Sequence, residues 1–307
     1  MSSIATLTLN PAIDSACEAD RVFPTHKVRT YGERYDPGGG GINVARLLAR
    51  LGRTVDTVYL SGGASGSLLD ELLALPGIVR HPVAIHDHTR LSLTVFERES
   101  GQEFRFVPEG PLLSGDEWRA ALDRCAGLAC EWLVASGSLP RGTPDEFLAL
   151  LSQAVAARGV KVIVDCHGEP LKRALAAGGL FLVKPSLGEF EALTGHSFAS
   201  PKDAGQAALD YVRAGSTRFF AVTMGHEGAV LAHEGGVLVR PGANVAVKSA
   251  TGAGDSFVAG MLHAFADGAS PAEALAWGMA AGTAAVMSAG TGLCQPEEIQ
   301  PLLQHFR

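Results

Sequence analysis

Short apolar runs recur along the chain: IATLTL (4–9), VDTVYL (55–60), EWLVAS (131–136), VKVIVD (160–165), LFLVK (180–184) and RFFAVT (218–223). Their length and continuity predict strands. Helical patterns lie between them. GINVARLLARLG has amphipathic spacing and stops at Gly52. PDEFLALLSQAVAARG opens on an acidic turn and stops at Gly159, and SPKDAGQAALDYVRAG ends likewise at Gly215. In the segment that begins TGAGDSFVAG (251–260), Phe257, Met261, Leu262 and Phe265 return at helical spacing, which places Gly252, Gly254 and Asp255 at or just before a first turn. Strands alternating with helices predict an α/β fold: a mostly parallel central sheet covered by helices on both faces.

Two regions break this rhythm. Residues 13–36 are polar and mixed, with HKVRTYGERY suggesting extended structure. In 91–107, EFRFV alternates and ESGQ supplies a hairpin turn. We read one domain over 1–307, with strands from about 13–36 and 88–107 forming a small separate sheet. Such a sheet could lid a pocket or make a homodimer contact. The plainer alternative is an edge extension of the main sheet.

Composition narrows the classes. The 307 residues are 47% apolar and 19% charged, as in a globular protein. A net charge of −7 argues against nucleic acid or an anionic membrane as main partner, yet a local basic pocket could still hold a small anion. Five cysteines, with no CxxC or Cys/His spacing, suggest reduced thiols. No signal-peptide pattern opens the chain, and no apolar stretch approaches the roughly 20 residues of a membrane span. The expectation is a soluble cytoplasmic protein.

Ligands of open α/β sheets sit beyond the carboxyl ends of strands. The unusual loops fall there: Asn10 to Asp14, the glycines 38–41, SGSLP (136–140), KPSLGE (184–189), TMGHEG (223–228) and 251–260. PGGGGINVAR would let backbone approach a ligand, and Asn43 could bond sugar hydroxyls. Neither GxGxxG after a buried strand nor GxxxxGK[ST] is present, so dinucleotide and P-loop readings fail. Asp255 has two readings: a helix cap, or a carboxylate beside an anion site made by the glycine turn and helix dipole. Lys27, Arg29, Arg90 and Arg105 lie in or beside the expected lid and suit a phosphorylated substrate, although each alone could be solvated surface charge. Lys184 and Glu189 follow a strand, where Glu189 either orders water around a metal or caps a helix. The histidines show no ligand spacing.

Together these motifs resemble the ribokinase-like carbohydrate kinases, the phosphofructokinase B family, over essentially the whole chain. PGGGGINVARLLARLG is similar to the N-terminal signature of that family and SATGAGDSFVAG to its C-terminal one. TLTLNPAIDSA, GGGGINVAR, SGSLP and GTGLC look closest to the bacterial minor-type 6-phosphofructokinases. Relatives acting on fructose 1-phosphate or tagatose 6-phosphate usually carry Lys within the glycine run, where this chain has Gly40.

The resemblance implies ATP as phosphoryl donor, with magnesium, and Asp255 as the base for a sugar hydroxyl. Gly252, Ala253 and Gly254 would form the anion hole. It places Asp14, Lys27, Arg29, Gly39, Gly40, Asn43, Arg90, Arg105 and Ser138 around the sugar phosphate. Lys184, Ser186, Glu189, Thr223 and Gly225 would lie on the nucleotide side, with Glu189 reaching magnesium through water. A monovalent cation, usually potassium, would sit near the carbonyls of Ser249, Thr251, Ser288 and Gly290. Ser186 stands where the family's Asn-x-x-Glu motif has asparagine. The expected reaction is fructose 6-phosphate to fructose 1,6-bisphosphate. Tagatose-6-phosphate kinase and 1-phosphofructokinase are alternatives within the class, and a non-catalytic sugar-phosphate-binding regulator is the alternative outside it.

Overall fold

The computed structural model describes residues 3–288 and 293–307. Its strands are β1 (Ile4–Thr8), β2 (Ala12–Ala19), β3 (Thr30–Gly38), β4 (Val55–Ser61), β5 (Ile78–Ala84), β6 (Arg90–Glu97), β7 (Glu103–Phe106), β8 (Trp132–Ser136), β9 (Lys161–Asp165), β10 (Leu180–Val183), β11 (Thr217–Thr223), β12 (Ala229–His233) and β13 (Gly236–Arg240). The helices are α1 (Gly40–Arg50), α2 (Gly63–Leu72), α3 (Gly115–Gly127), α4 (Phe147–Ala156), α5 (Gly168–Ala177), α6 (Leu187–Thr194), α7 (Pro201–Arg213), α8 (Ala253–Ala266), α9 (Pro271–Met287) and α10 (Pro296–Phe306).

All six apolar runs are strands of one sheet, ordered β13-β12-β11-β10-β9-β8-β1-β4-β5. Pairing is parallel from β11 to β5 and antiparallel at β11–β12 and β12–β13. Alternate side chains of β11 enter different cores. Phe219 and Ala221 pack with α1, α8, α9 and α10, whereas Phe220 and Val222 pack with α3 to α7. Both faces of the strand are therefore dry, which is why its sequence is continuously apolar.

The second sheet is separate, as expected, with order β3-β2-β6-β7. β2 pairs antiparallel with β3 and parallel with β6, and β6–β7 is the hairpin that EFRFV signals. The strands occupy 12–19 and 30–38, then 90–97 and 103–106; HKVR (26–29) stays outside them. Pairing sorts the side chains by face. Tyr35, Ser15, Leu93 and Phe106 form one cross-strand row. On the other face Asp14 is opposite Asp36 and Ser92, and Thr94 is opposite Arg105. Among the described residues, no helix is long and apolar enough to cross a membrane.

Candidate active site

Gly252 is the N-cap of α8 and has a φ of +75°, a left-handed conformation that glycine adopts without a Cβ clash. The turn delivers Asp255 into the first helical turn, where backbone N–H groups lack helical partners. The N-cap glycine has no side chain to cap with, and Asp255 makes no side-chain cap bond among the described residues. Its carboxylate instead accepts from Asn43 Nδ2 at 2.9 Å (α1) and from Ser136 Oγ at 3.4 Å (the end of β8). Burial pushes its pKa up to about 6, with nearby Asp165 adding to the effect, while Asn43, Lys184 and Ser136 pull it back.

Lys184, after β10, is buried and pairs with Asp165 Oδ1 at 3.1 Å. Burial opposes its charge, but the attraction of Asp165, with Glu189 and Asp255, outweighs that, and the ammonium's pKa is raised. A Cβ on Gly254 would stand 3.3 Å from Lys184 Nζ, so the start of α8 opens directly onto this cation. Beside it lies a cavity of about 660 Å³ whose lining includes Thr223, Gly225, Ala253, Gly254, Phe257 and Met279. Val245, Val247 and Val286 make its walls largely apolar. Such a pocket, next to a helix N-terminus and a buried lysine, has the chemistry for a flat ring bearing phosphates.

Ser186 caps α6 reciprocally. Glu189 N donates to Ser186 Oγ, while Ser186 N and Oγ donate to Glu189 Oε2 at 2.7 and 2.8 Å. Glu189 Oε1 is turned instead toward His167 Nδ1, 3.7 Å away. The capping reading of Glu189 is thus met by Oε2, and Oε1 takes no part in the cap. Lys248 N and Ser249 N both donate to Val286 O, and Thr251 N donates to Ser249 Oγ. The 248–251 segment therefore lies against the end of α9, close before Ser288. Gly290 is outside the described residues.

On the lid side, burial raises the pKa of Asp14, opposed by Arg90, Arg105 and Arg46. Arg90 donates from Nη1 to Pro108 O and from Nη2 to Asn10 O, each at 2.9 Å. It ties the chain just before β2 to the chain just after β7, a contact that its sequence context did not suggest. Arg105 is exposed on the Asp14 face. Ser138 Oγ accepts from Asn10 Nδ2 at 3.1 Å. Gly39 precedes α1 as its N-cap. At Gly40 a Cβ would overlap Ser136 Oγ and come within 2.9 Å of Gly137 N, so the glycine run passes directly over the end of β8. Lys27 and Arg29 are exposed in the β2–β3 connection.

Sequence reasoning missed Asp165, Ser136 and Arg46. A lone carboxylate ending the apolar run VKVIVD was the available signal for Asp165. Ser136 and Arg46 are recognised only by the partners that folding brings to them.

Comparison with known proteins identifies the family. The model for "pfkB family carbohydrate kinase" matches residues 7–298. The chain is 38% identical to the ATP-dependent 6-phosphofructokinase isozyme 2 of Escherichia coli strain K12, over 100% of this chain and 99% of that protein. It is 34% identical to a 1-phosphofructokinase of Xanthomonas campestris, covering 87% of this chain and 86% of the relative. The solved phosphofructokinase-2 of Escherichia coli in complex with potassium superposes with a TM-score of 0.95, at 37% identity and 100% and 99% coverage. A tetrameric inhibited form of that protein gives 0.92 at 36% identity and the same coverage. The chain belongs to the pfkB family of carbohydrate kinases. It is an ATP-dependent sugar-phosphate kinase with a ribokinase-like fold.

Proposed function

We propose that this kinase transfers the γ-phosphoryl group of ATP to fructose 6-phosphate, giving fructose 1,6-bisphosphate. The observation that carries the reading is Asp255: a carboxylate with raised pKa, held by Asn43 and Ser136, at the glycine turn that starts α8. Its relation to 6-phosphofructokinase isozyme 2 over the full chain supports this substrate.

Asp255 accepts the proton of the sugar's 1-hydroxyl as that oxygen attacks phosphorus and the bond to ADP breaks. The N–H groups of Gly252, Ala253 and Gly254 stabilise charge on the transferring group. Lys184 lies against Gly254 and neutralises nucleotide phosphate. The cavity lined by Thr223 and Gly225 takes the base. Asp14 and Arg105, from the polar lid face, meet the sugar phosphate, with Gly39 and Ser138 at the same mouth and Lys27 and Arg29 reaching in from the connection.

The donor set fits magnesium carried on ATP, since Glu189 Oε1 is outside the capping bonds and magnesium normally keeps several waters. Glu189 would hold it through water, and the metal would offset phosphate charge. The carbonyls of Ser249, Thr251, Ser288 and Gly290 would suit a potassium ion, supported by the potassium complex of the related enzyme. The chain acts as one kinase unit, and its exposed lid row of Tyr35, Leu93 and Phe106 forms a homodimer. Leu93→Glu should give a monomer by light scattering; an unchanged mass would move the contact elsewhere. A tetramer of two such dimers would accord with the tetrameric form of the relative.

The test is ADP release by the purified enzyme with a panel of phosphorylated sugars. Fructose 6-phosphate should give the highest kcat/KM. A preference for fructose 1-phosphate or tagatose 6-phosphate would reassign the substrate, and no ADP release with any sugar would leave a binding protein.

A further inference from the structure

Arg46 of α1 is one of the few buried charges in the protein, with a relative exposure of 5%. Its Nη1 donates to Pro37 O at 2.8 Å and to Asn43 Oδ1 at 3.3 Å, and its Nη2 meets Asp36 Oδ1 at 3.4 Å. Nε has no partner among the described residues. A buried guanidinium with an unsatisfied donor and a half-buried carboxylate partner is a poor device for stability, since an apolar side chain of similar volume often serves as well. The position of the group explains it better.

Asn43 lies between two groups of opposite demand. A guanidinium can only donate, and an ionised carboxylate can only accept. With Arg46 on one side and Asp255 on the other, the amide has one satisfactory orientation: Oδ1 toward Arg46 and Nδ2 toward Asp255. Once Asp255 takes a proton, it no longer fixes that choice by itself, because a carboxyl group can also donate. Arg46 keeps the choice fixed in both states. Pro37 and Asp36, its other partners, belong to the lid strand β3, which runs straight into the glycine loop.

We propose that Arg46 is a positioning residue for phosphoryl transfer: its guanidinium locks the amide of Asn43 with Nδ2 on Asp255 and anchors that arrangement to lid strand β3. This rests on Asp255 being the base. The other groups that set the acidity of Asp255 are Asp165 at the end of β9, Lys184 after β10 and Ser136 at the end of β8. None of them is removed by a change at residue 46. Without Arg46 the amide is free to turn and accept from protonated Asp255, which favours the protonated and inactive form.

The experiment is a double-mutant cycle on kcat with Arg46→Gln and Asn43→Ala, each variant also profiled against pH. Arg46→Gln should lower kcat roughly tenfold or more, leave the KM for ATP within about twofold, and move the acid limb of kcat to higher pH. In the Asn43→Ala background the same change should cost less than about twofold. Arg46→Lys keeps the buried charge but cannot reach Pro37, Asp36 and Asn43 together. It should behave like Arg46→Gln, and it carries the same cycle should the glutamine variant fail to fold. Full additivity of the two losses, or an unmoved acid limb, overturns the proposal. Asp255→Asn distinguishes the two readings. Turnover surviving in that variant would overturn the assignment of the base, whereas an inactive Asp255→Asn beside an additive cycle would overturn only the role of Arg46.

Discussion

Asn43 Nδ2 donates to Asp255 Oδ2 at 2.9 Å, across a separation of 212 residues. The bond joins the first turns of α1 and α8, which share one hydrophobic core through Val44, Leu47, Leu48, Phe257, Val258 and Met261. Packing thus brings the two glycine-led helix starts together and holds one carboxylate between them. The result is a base that is desolvated but oriented, a combination suited to accepting a proton near neutral pH.

The first prediction concerns stability against pH. The folded-state pKa of Asp255 is raised from 3.8 to about 6. Protonation is thus favoured by the fold, and the associated stability is lost as pH rises through about 6. Asp255→Asn has no such loss. It should equal the parent in relative stability below pH 4 and gain about 1–3 kcal/mol over it by pH 7. Urea melts across that range would measure the gap. A constant difference would mean that burial does not control this carboxylate.

Substrate binding should divide the two lid arginines. Arg90 uses both terminal nitrogens on the carbonyls of Pro108 and Asn10, whereas Arg105 is exposed beside Asp14. Arg105→Ala should raise the KM for fructose 6-phosphate roughly ten- to a hundredfold with little change for ATP. Arg90→Ala should raise the same KM and also lower thermal stability. Equal weakening of ATP and sugar phosphate by Arg105→Ala would remove the lid from substrate recognition.

Ser186 offers a separable test of metal use. Its hydroxyl exchanges bonds with Glu189 at the start of α6. Asparagine is an equally good N-cap, so Ser186→Asn should leave stability nearly unchanged. By extending toward the metal's water it should lower the magnesium concentration for half-maximal rate. Ser186→Ala should lose about 0.5–2 kcal/mol of stability. An unchanged or weaker magnesium response in Ser186→Asn would show that serine already meets the requirement.

Much of this architecture was legible because burial leaves a one-dimensional trace. VKVIVD and RFFAVT are dry on both sheet faces and read as strands. EFRFV alternates because successive side chains of β7 turn to opposite faces of the lid sheet, Phe104 packing by Val95 and Arg105 lying on the Asp14 face. Asp255 stood out as a lone charge among small residues. The edge strands β12 and β13 were not read, nor were Asp165, Ser136 and Arg46. Each of these depends on a neighbour distant in sequence: Lys184 for Asp165, Asp255 for Ser136, Asn43 and Asp36 for Arg46. Arg90 was legible as a cation near the lid, but its engagement with two main-chain carbonyls was not.

The most direct test is the turnover of Asp255→Asn with ATP and fructose 6-phosphate. The substitution keeps the shape of the side chain and removes the proton acceptor. The account predicts a fall in kcat of roughly 10²–10⁴-fold, with both KM values close to those of the parent. A variant that retained most of its turnover would contradict it, and Asp255 would then be a structural carboxylate at the start of a helix.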